Sequence, residues 1–374
     1  MAWKGARAAA RGQGVAMVLV MLWGLWQGLA ALTAPESLAR LRETLSWDAF
    51  LGGRTAAAVN HVMAHALPAD YALRAAGGVL RWGVFGSGGP QLRLGCDNWL
   101  FLTEELRPWP GAEAAMAERA AGLARVAAAL REKGIALVVA VTPDKARVQA
   151  EALCGAPWSA QAQARYGAFA ALLRGHGVQP VDSLGALLAG KAEGDMYWRT
   201  DTHWNQRGAA LVAAAIARAA QGLPPERDAR FNTALAAEET DGPGDLVRLM
   251  SLEHLPAWLR PRPDRQRLAR TAEAEGGGGG GDLLDEAPGP QVVLIGSSYS
   301  VNANFHGALQ QALGARVANF GKAGGGFAGS ARDYFGSAAW RETPPRLVVW
   351  EVLERSLGQP VGAEERAFLA APLR

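Results

Sequence analysis

The chain has 374 residues, 49% of them apolar and 20% charged, which is enough apolar material to bury a core and excludes wholesale disorder. Lys and Arg number 38 against 35 Asp and Glu, a net charge of +3, and that near balance argues against a nucleic-acid binder, whose basic residues are clustered and in excess. Two cysteines exclude a disulfide-dense scaffold and a cysteine-based zinc site. At the N-terminus, Lys4, Arg7 and Arg11 precede an uncharged stretch from Gly12 to Pro35, whose apolar heart Val15–Leu32 is broken only by Gln27, Gly24 and Gly28. That length is at the lower edge of the roughly 20 residues needed to span a bilayer and exceeds the apolar region of a typical cleaved signal peptide. The basic flank places the N-terminus in the cytoplasm and the rest of the chain across the membrane. Residues 1–35 therefore read as an uncleaved signal anchor, with cleavage after the small residues near Ala31 and Thr33 as the alternative. In an oxidising compartment Cys96 and Cys154 could pair, but sequence alone does not give their separation.

Residues 36–90 read as a helical lead-in. His61 and His65 have the i,i+4 spacing of a helical metal pair, but no glutamate follows His61 and no third ligand is evident, so they read as surface or packing histidines. From Ala112 onward, alanine-rich periodic stretches alternate with short β-branched runs. Helices are predicted at about Glu113–Lys133, Ala160–Arg174, Gly208–Gln221 and Phe305–Leu313, and strands at Ile135–Val141, Val178–Val181, Val292–Ile295, Val317–Phe320 and Leu347–Val352. Short runs that are apolar on both faces and separated by helices imply an α/β fold, a parallel sheet sandwiched by helices, within residues 91–374. Ligands of such sheets sit beyond the carboxyl ends of the strands. Periodicity fails between about 231 and 290. That stretch holds Arg260, Arg262, Arg265, Arg267 and Arg270, then the glycine run Gly276–Gly281, and reads as a surface insertion with a flexible linker. Its arginines could meet a polyanion, although a solvated linker explains them as well.

Two motifs carry chemistry. In Arg199-Thr200-Asp201-Thr202-His203-Trp204, an extended backbone would put Asp201 and His203 on one face, so that Asp201 could fix the His203 tautomer and leave Nε2 as a proton acceptor. Alternatively, Asp201 or Thr202 caps the following helix. In Val292-Val293-Leu294-Ile295-Gly296-Ser297-Ser298-Tyr299-Ser300, a strand ends in glycine and a serine cluster follows at the sheet edge, where turn amides could face an oxyanion. Alternatively, these serines cap a helix. Together the two segments supply nucleophile, base and orienting acid at one edge of one sheet.

These residues resemble the SGNH-hydrolase-like domain of the bacterial alginate O-acetyltransferases (the AlgJ/AlgX type), which has a D-T-H-W signature and a later G-[DT]-S-[FY]-S motif. Asp201-Thr202-His203-Trp204 and Gly296-Ser297-Ser298-Tyr299-Ser300 match, so the resemblance implies Ser298, His203 and Asp201 as the catalytic set. Gly95-Cys96-Asp97-Asn98-Trp99-Leu100-Phe101 is similar to the family's hairpin, Thr142-Pro143-Asp144-Lys145-Ala146-Arg147 to its proline–lysine stretch, and Val349-Trp350-Glu351 with Arg355 to its closing strand. Asn319 and Gly324 resemble the segment that completes the oxyanion site, while Tyr299, Trp204, Trp198 and Arg199 fall where substrate could be lined. Position 297 is Ser where relatives usually have Asp or Thr. Few residues follow Arg355, so the resemblance is to the anchored AlgJ branch rather than to AlgX with its appended carbohydrate-binding module.

The resemblance implies a flavodoxin-like SGNH fold, a periplasmic location at the bacterial inner membrane, a polysaccharide acceptor such as alginate, no cofactor and no metal. It also implies a membrane-bound O-acyltransferase as acetyl donor, since acetyl-CoA is cytoplasmic. The expected reaction is acetyl transfer through an acetyl-serine, falling in rate as His203 is protonated around the ordinary imidazole value of about 6.5. A polysaccharide acetyl esterase with the same triad, or a non-catalytic polysaccharide-binding subunit, are the competing readings.

Overall fold

The computed structural model describes residues 2–225, 227, 229–274 and 290–373, and the chain divides into two compact units. The first, residues up to 85 with 250–255, is helical: α1 (Ala2–Thr33), α2 (Pro35–Arg42), α3 (Trp47–Leu51), α4 (Arg54–His65) and α5 (Asp70–Val79). The stretch Ala10–Thr33 of α1 is long and apolar enough to cross a membrane. Within its apolar heart Val15–Leu32, the polar Gln27 is buried and accepts the Ala69 amide at 2.9 Å. The His61 and His65 rings lie side by side on α4, 4.8 Å apart.

The second unit, residues 86–249 and from 256 on, opens with a hairpin of β1 (Leu92–Leu94) and β2 (Leu100–Leu102). There follow α6 (Thr103–Leu106), α7 (Ala112–Glu132), β3 (Ala136–Thr142), α8 (Lys145–Val148), α9 (Ala160–Gly175), β4 (Pro180–Val181), α10 (Ser183–Gly190) and α11 (Gln206–Ala219). Next come β5 (Phe231–Leu235), β6 (Thr240–Asp241), α12 (Asp245–Leu249), β7 (Arg265–Gln266) and β8 (Ala269–Glu273). The chain closes with β9 (Val292–Ile295), α13 (Phe305–Leu313), β10 (Val317–Asn319), α14 (Gly329–Phe335), α15 (Ala338–Glu342), β11 (Leu347–Leu353) and α16 (Ala363–Ala370).

The central sheet has five parallel strands in the order β10-β9-β11-β3-β4. Alternate side chains of each strand feed two cores. Val138, Ala140, Leu294 and Val349 face α10, α11 and α13, while Val139, Val141, Ile295 and Trp350 face α7, α9 and α14–α16. With both faces covered, every residue of β9 and β11 is buried, which is why β9 reads as an unbroken apolar run and β11 as one broken only by Glu351. Cys96 and Cys154 form a disulfide that ties the β1–β2 hairpin to the segment after α8, with Cα atoms 5.6 Å apart.

The insertion expected over about 231–290 carries regular structure of its own. Antiparallel pairs β5–β8 and β6–β7 and the helix α12 are built from residues 231–273, closed by main-chain hydrogen bonds that leave no trace in hydrophobic periodicity. The glycine run Gly276–Gly281 lies outside the described residues.

Candidate active site

The carboxyl ends of β3, β9 and β11 converge on one polar cluster. After β9, Gly296 and Ser297 lead into a single 3-10 turn, Ser298–Ser300. The three serines of this turn have separate partners. Ser297 is the cap, accepting the Tyr299 amide at 3.1 Å, and its own amide and hydroxyl both donate to Glu351 Oε2 at 2.7 Å. Ser300 donates to the same oxygen at 3.1 Å. Ser298 alone is directed at His203, with Oγ 2.8 Å from Nε2. A side chain at Gly296 would meet Ser300 Oγ at 2.3 Å and Glu351 Oε2 at 2.7 Å, so this position accepts only glycine.

His203 and Asp201 lie in the loop between α10 and α11, closed by a bridge between Tyr197 and Trp204. The segment is not extended, as its spacing predicts. Asp201 Oδ1 accepts the His203 amide at 3.0 Å, folding the pair into a side-chain-capped turn, and meets His203 Nδ1 at 2.7 Å. Asp201, His203 and Ser298 thus form one hydrogen-bonded chain running from buried carboxylate to half-buried hydroxyl.

The remaining expected residues fall into different places. Trp204 and Tyr299 are fully buried, with ring centroids 4.9 Å apart, and Tyr299 packs on the His203 ring at 4.8 Å. They seat the imidazole from behind, so the expectation that they line substrate is corrected by their burial. The Tyr299 hydroxyl donates to Thr202 O at 2.6 Å, and the Arg355 guanidinium lies over its ring. Trp198 remains half-buried. Asn319 spends its amide on Ser300 O at 2.9 Å and accepts Gly321 N at 2.8 Å, so it shapes the turn after β10 and is not aimed at an oxyanion. Gly324, with φ of +72°, sits in the next turn and makes no hydrogen bond to the Asp201–His203–Ser298 chain among the described residues. The Arg199 guanidinium rests on Asp264 at 3.1 Å.

Several further residues of the site lie outside the two motifs. Asn302 Nδ2 donates to Ser298 O at 2.9 Å and lies 3.1 Å from His203 Nε2. Asp245, the first residue of α12, donates its amide to Asp201 Oδ2 at 2.8 Å and accepts the Thr202 amide at 2.7 Å. Its Oδ2 stands 3.7 Å from His203 Nδ1. Asp264 accepts the Thr200 amide and hydroxyl at 2.9 and 2.6 Å. Both carboxylates come from the 231–273 insertion. The pattern Gly242-Pro243-Gly244-Asp245 before Leu246 and Val247 is a turn and helix-start signal that marks Asp245, though not its partners. Lys145, completely buried after β3, donates to the carbonyls of Leu100, Arg199 and Asp201 at 2.5, 2.9 and 2.9 Å, so its three protons tie the β1–β2 hairpin to the loop that carries Asp201 and His203.

Burial would raise Asp201, but the hydrogen bond and charge of His203, with the amides of Asp245 and His203, outweigh it and hold the carboxyl at about 2. Burial, then the charge of Asp201, push Asp245 up to about 6 against the pull of His203 and the Thr202 amide. Burial draws Lys145 down to about 8 despite Glu105, Asp201 and Asp264 nearby. Asp201, His203 and Asp245 bring ligand-type atoms within 4.8 Å of one another. Those atoms are engaged with each other and with main-chain amides, so a cation would have to break the Asp201–His203 bond, and the cluster is suited to moving a proton.

A family model described as an SGNH hydrolase-like domain of the acetyltransferase AlgX matches residues 92–354. A protein of Pseudomonas putida named "Probable alginate O-acetylase AlgJ" is 38% identical over 280 residues, 73% of this chain and 72% of its own length. One of the same name from Azotobacter vinelandii is 34% identical over 74% of this chain and 72% of its own. Among solved structures, the O-acetyltransferase domain of Pseudomonas putida AlgJ superposes with a TM-score of 0.65 at 34% identity, covering 75% of this chain and 98% of that one. Pseudomonas aeruginosa AlgX superposes at 0.56 with 25% identity, covering 75% and 66%.

Proposed function

The chain belongs to the AlgX family of SGNH hydrolase-like acetyltransferases, and on that premise we propose that it is an exopolysaccharide O-acetyltransferase whose acetyl group passes through Ser298. The observation that carries the residue roles is the continuous hydrogen-bond chain from Asp201 through His203 to Ser298. His203 Nε2 takes the Ser298 proton as Oγ attacks the acetyl carbonyl, and returns it to the departing donor group, leaving an acetyl-serine. The same nitrogen then takes a proton from a sugar hydroxyl, whose oxygen attacks the acetyl carbon. The ester passes to the sugar and Ser298 regains its proton. Asp201, ionised because its carboxyl is held at about 2, stabilises the imidazolium in both half-reactions. The tetrahedral oxyanion falls to main-chain amides of the Ser298 turn, with Asn302, which donates Nδ2 to Ser298 O at 2.9 Å, holding that turn.

The alginate named in the relatives supports an alginate-like acceptor. The reading places residues 1–35 as an inner-membrane anchor, 36–90 as a helical lead-in and 91–374 as the periplasmic catalytic domain, with the acetyl group delivered by a membrane-bound O-acyltransferase. The helix Ala10–Thr33, which carries Arg11 as its single charge and is apolar enough to cross a membrane, supports the anchor. The test uses the full chain in detergent, a soluble acetyl ester and an oligosaccharide acceptor, followed by intact-mass spectrometry. Acetylated protein and acetylated sugar are expected, and Ser298→Ala should abolish both. Free acetate without acetylated sugar would assign an esterase instead. Unchanged transfer by Ser298→Ala would remove Ser298 from its role.

A further inference from the structure

A groove of about 770 Å³ lies between α11, α13 and the β5–β8 pair, outside the catalytic chain of residues. Its floor is made of helix alanines such as Ala210 and Ala308, and its rim carries Arg207, Arg265, Arg267, Gln206 and Asn304.

The segments that form the rim are those that leave the candidate active site. Gln206 follows His203 by three residues, and Arg265 directly follows Asp264, which holds Thr200. Ala303, which also lines the groove, directly follows Asn302, whose amide reaches His203 Nε2 at 3.1 Å. The groove is thus lined by residues next in sequence to those of the candidate active site.

Three arginines face one glutamate, Glu239, among the lining residues, so the groove favours an anionic occupant. Arg265 is matched by Asp241 at 2.6 Å. Arg207 and Arg267 meet main-chain oxygens, of Glu193 and Ala236, and no carboxylate among the described residues. Guanidinium groups without a carboxylate partner suit bidentate recognition of one. The primary amides of Gln206 and Asn304 can both donate to and accept from hydroxyls, and the alanine floor presents a smooth apolar surface to the C–H face of a sugar ring. A volume in the range of drug-sized ligand sites exceeds what a single reacting sugar needs.

We propose that this groove holds a run of uronate residues of the acceptor polysaccharide and so presents the neighbouring sugar to Ser298. The proposal rests on the acetyltransferase reading with its alginate-like acceptor and adds the groove and the arginines that select it. Arg207 and Arg267 bind the carboxylates of the flanking sugars. They act on acceptor affinity, not on formation of the acetyl-enzyme.

The experiment uses the full chain in a non-glycosidic detergent, with p-nitrophenyl acetate as donor and either an oligomannuronate or a cello-oligosaccharide as acceptor. Rates are compared per acetylated enzyme, read as intact mass, so that a misfolded preparation does not count. Wild type is expected to acetylate the oligomannuronate at the lower KM. Arg207→Gln with Arg267→Gln should raise that KM by about tenfold or more while leaving the cello-oligosaccharide KM within about twofold. Added salt should weaken oligomannuronate use by wild type more than by the double variant. Ala308→Trp, which fills the floor without touching charge, should raise KM for both sugars. Transfer by wild type with KM unchanged in all variants would overturn the groove and leave the acetyltransferase standing. No transfer to either sugar by an acetylated wild type would overturn both.

Discussion

Glu351 Oε2 accepts hydrogen bonds from both the amide and the hydroxyl of Ser297, each at 2.7 Å. Its other oxygen accepts the Thr142 hydroxyl at 2.6 Å, so one buried carboxylate joins the ends of β3, β9 and β11 beneath Ser298. A hydroxyl at position 297 donates to that carboxylate, which an ionised Asp there could not do.

Replacing Glu351 tests this support. Glu351→Gln keeps an oxygen for Ser297 and can offer its amide to Thr142, so an expected loss of about 1–2 kcal/mol would leave the Ser298 turn in place. Glu351→Leu leaves four buried donors without an acceptor and should cost more than about 3 kcal/mol, with acetyl-enzyme formation lost as the turn relaxes. Urea unfolding of the two variants decides the matter. Equal stability of the leucine variant and wild type would show that the carboxylate holds nothing.

Asp245 makes the pH dependence asymmetric. Its folded carboxyl ionises at about 6, above the ordinary value of about 3.9, so the folded state holds its proton longer than the unfolded chain does. Stability from this group is full below about pH 4 and declines as pH rises through 6. Asp201 behaves oppositely. Its carboxyl is lowered to about 2, so its contribution is full above about pH 4 and lost only as pH falls through 2. Once ionised, Asp245 places a second negative charge 3.7 Å from His203 Nδ1, where it supports the imidazolium formed during transfer. Asp245→Asn should therefore lower kcat/KM by about tenfold near pH 8 and hardly at all near pH 5. Parallel wild-type and variant profiles across that range would remove Asp245 from the proton chemistry.

Lys145 separates positioning from chemistry. Its ammonium touches three carbonyls of the hairpin and the Asp201 loop and lies under neither Ser298 nor the groove. Lys145→Met keeps most of the volume but removes every donor, and should cost about 2–4 kcal/mol while cutting kcat by about a hundredfold through displacement of His203. A methionine variant of reduced stability but wild-type kcat would confine Lys145 to a structural role.

The parts of this architecture that were legible in the sequence share one property: their signal is local. Val292–Ile295 and Leu347–Leu353 are buried on both faces, so the parallel sheet shows as apolar runs. Asp201, His203 and Ser298 sit in short motifs whose chemistry needs those residue types side by side. The insertion was illegible because β5 buries only Phe231 and exposes the next four residues, which removes the alternation that marks a strand. Asp245 and Asp264 act through main-chain amides at Thr202 and Thr200, 43 and 64 residues away, and nothing in a single sequence encodes such a pairing. Trp204 and Tyr299 were expected to line substrate, whereas both are buried and Tyr299 packs on the His203 ring, because aromatic residues near a histidine pack against it as readily as they line a cleft.

The Cys96–Cys154 bond gives the site a redox dependence that can be measured without any substitution. It closes a loop with a sequence separation of 58, which includes β3, Lys145 and the hairpin carbonyl of Leu100 that Lys145 holds. Chain-entropy arguments for a loop of this size give about 4 kcal/mol of stabilisation, acting through the unfolded state. Reduction should therefore lower the unfolding midpoint of the second unit without moving Asp201, His203 or Ser298. The kcat of the protein that remains folded should be unchanged at low temperature, with activity lost earlier on heating. Cys96→Ser with Cys154→Ser should reproduce the reduced protein in both respects. If the reduced and oxidised forms unfold together, the bond contributes nothing to stability. A fall in kcat well below the unfolding range would instead make it part of the support for the Asp201 loop.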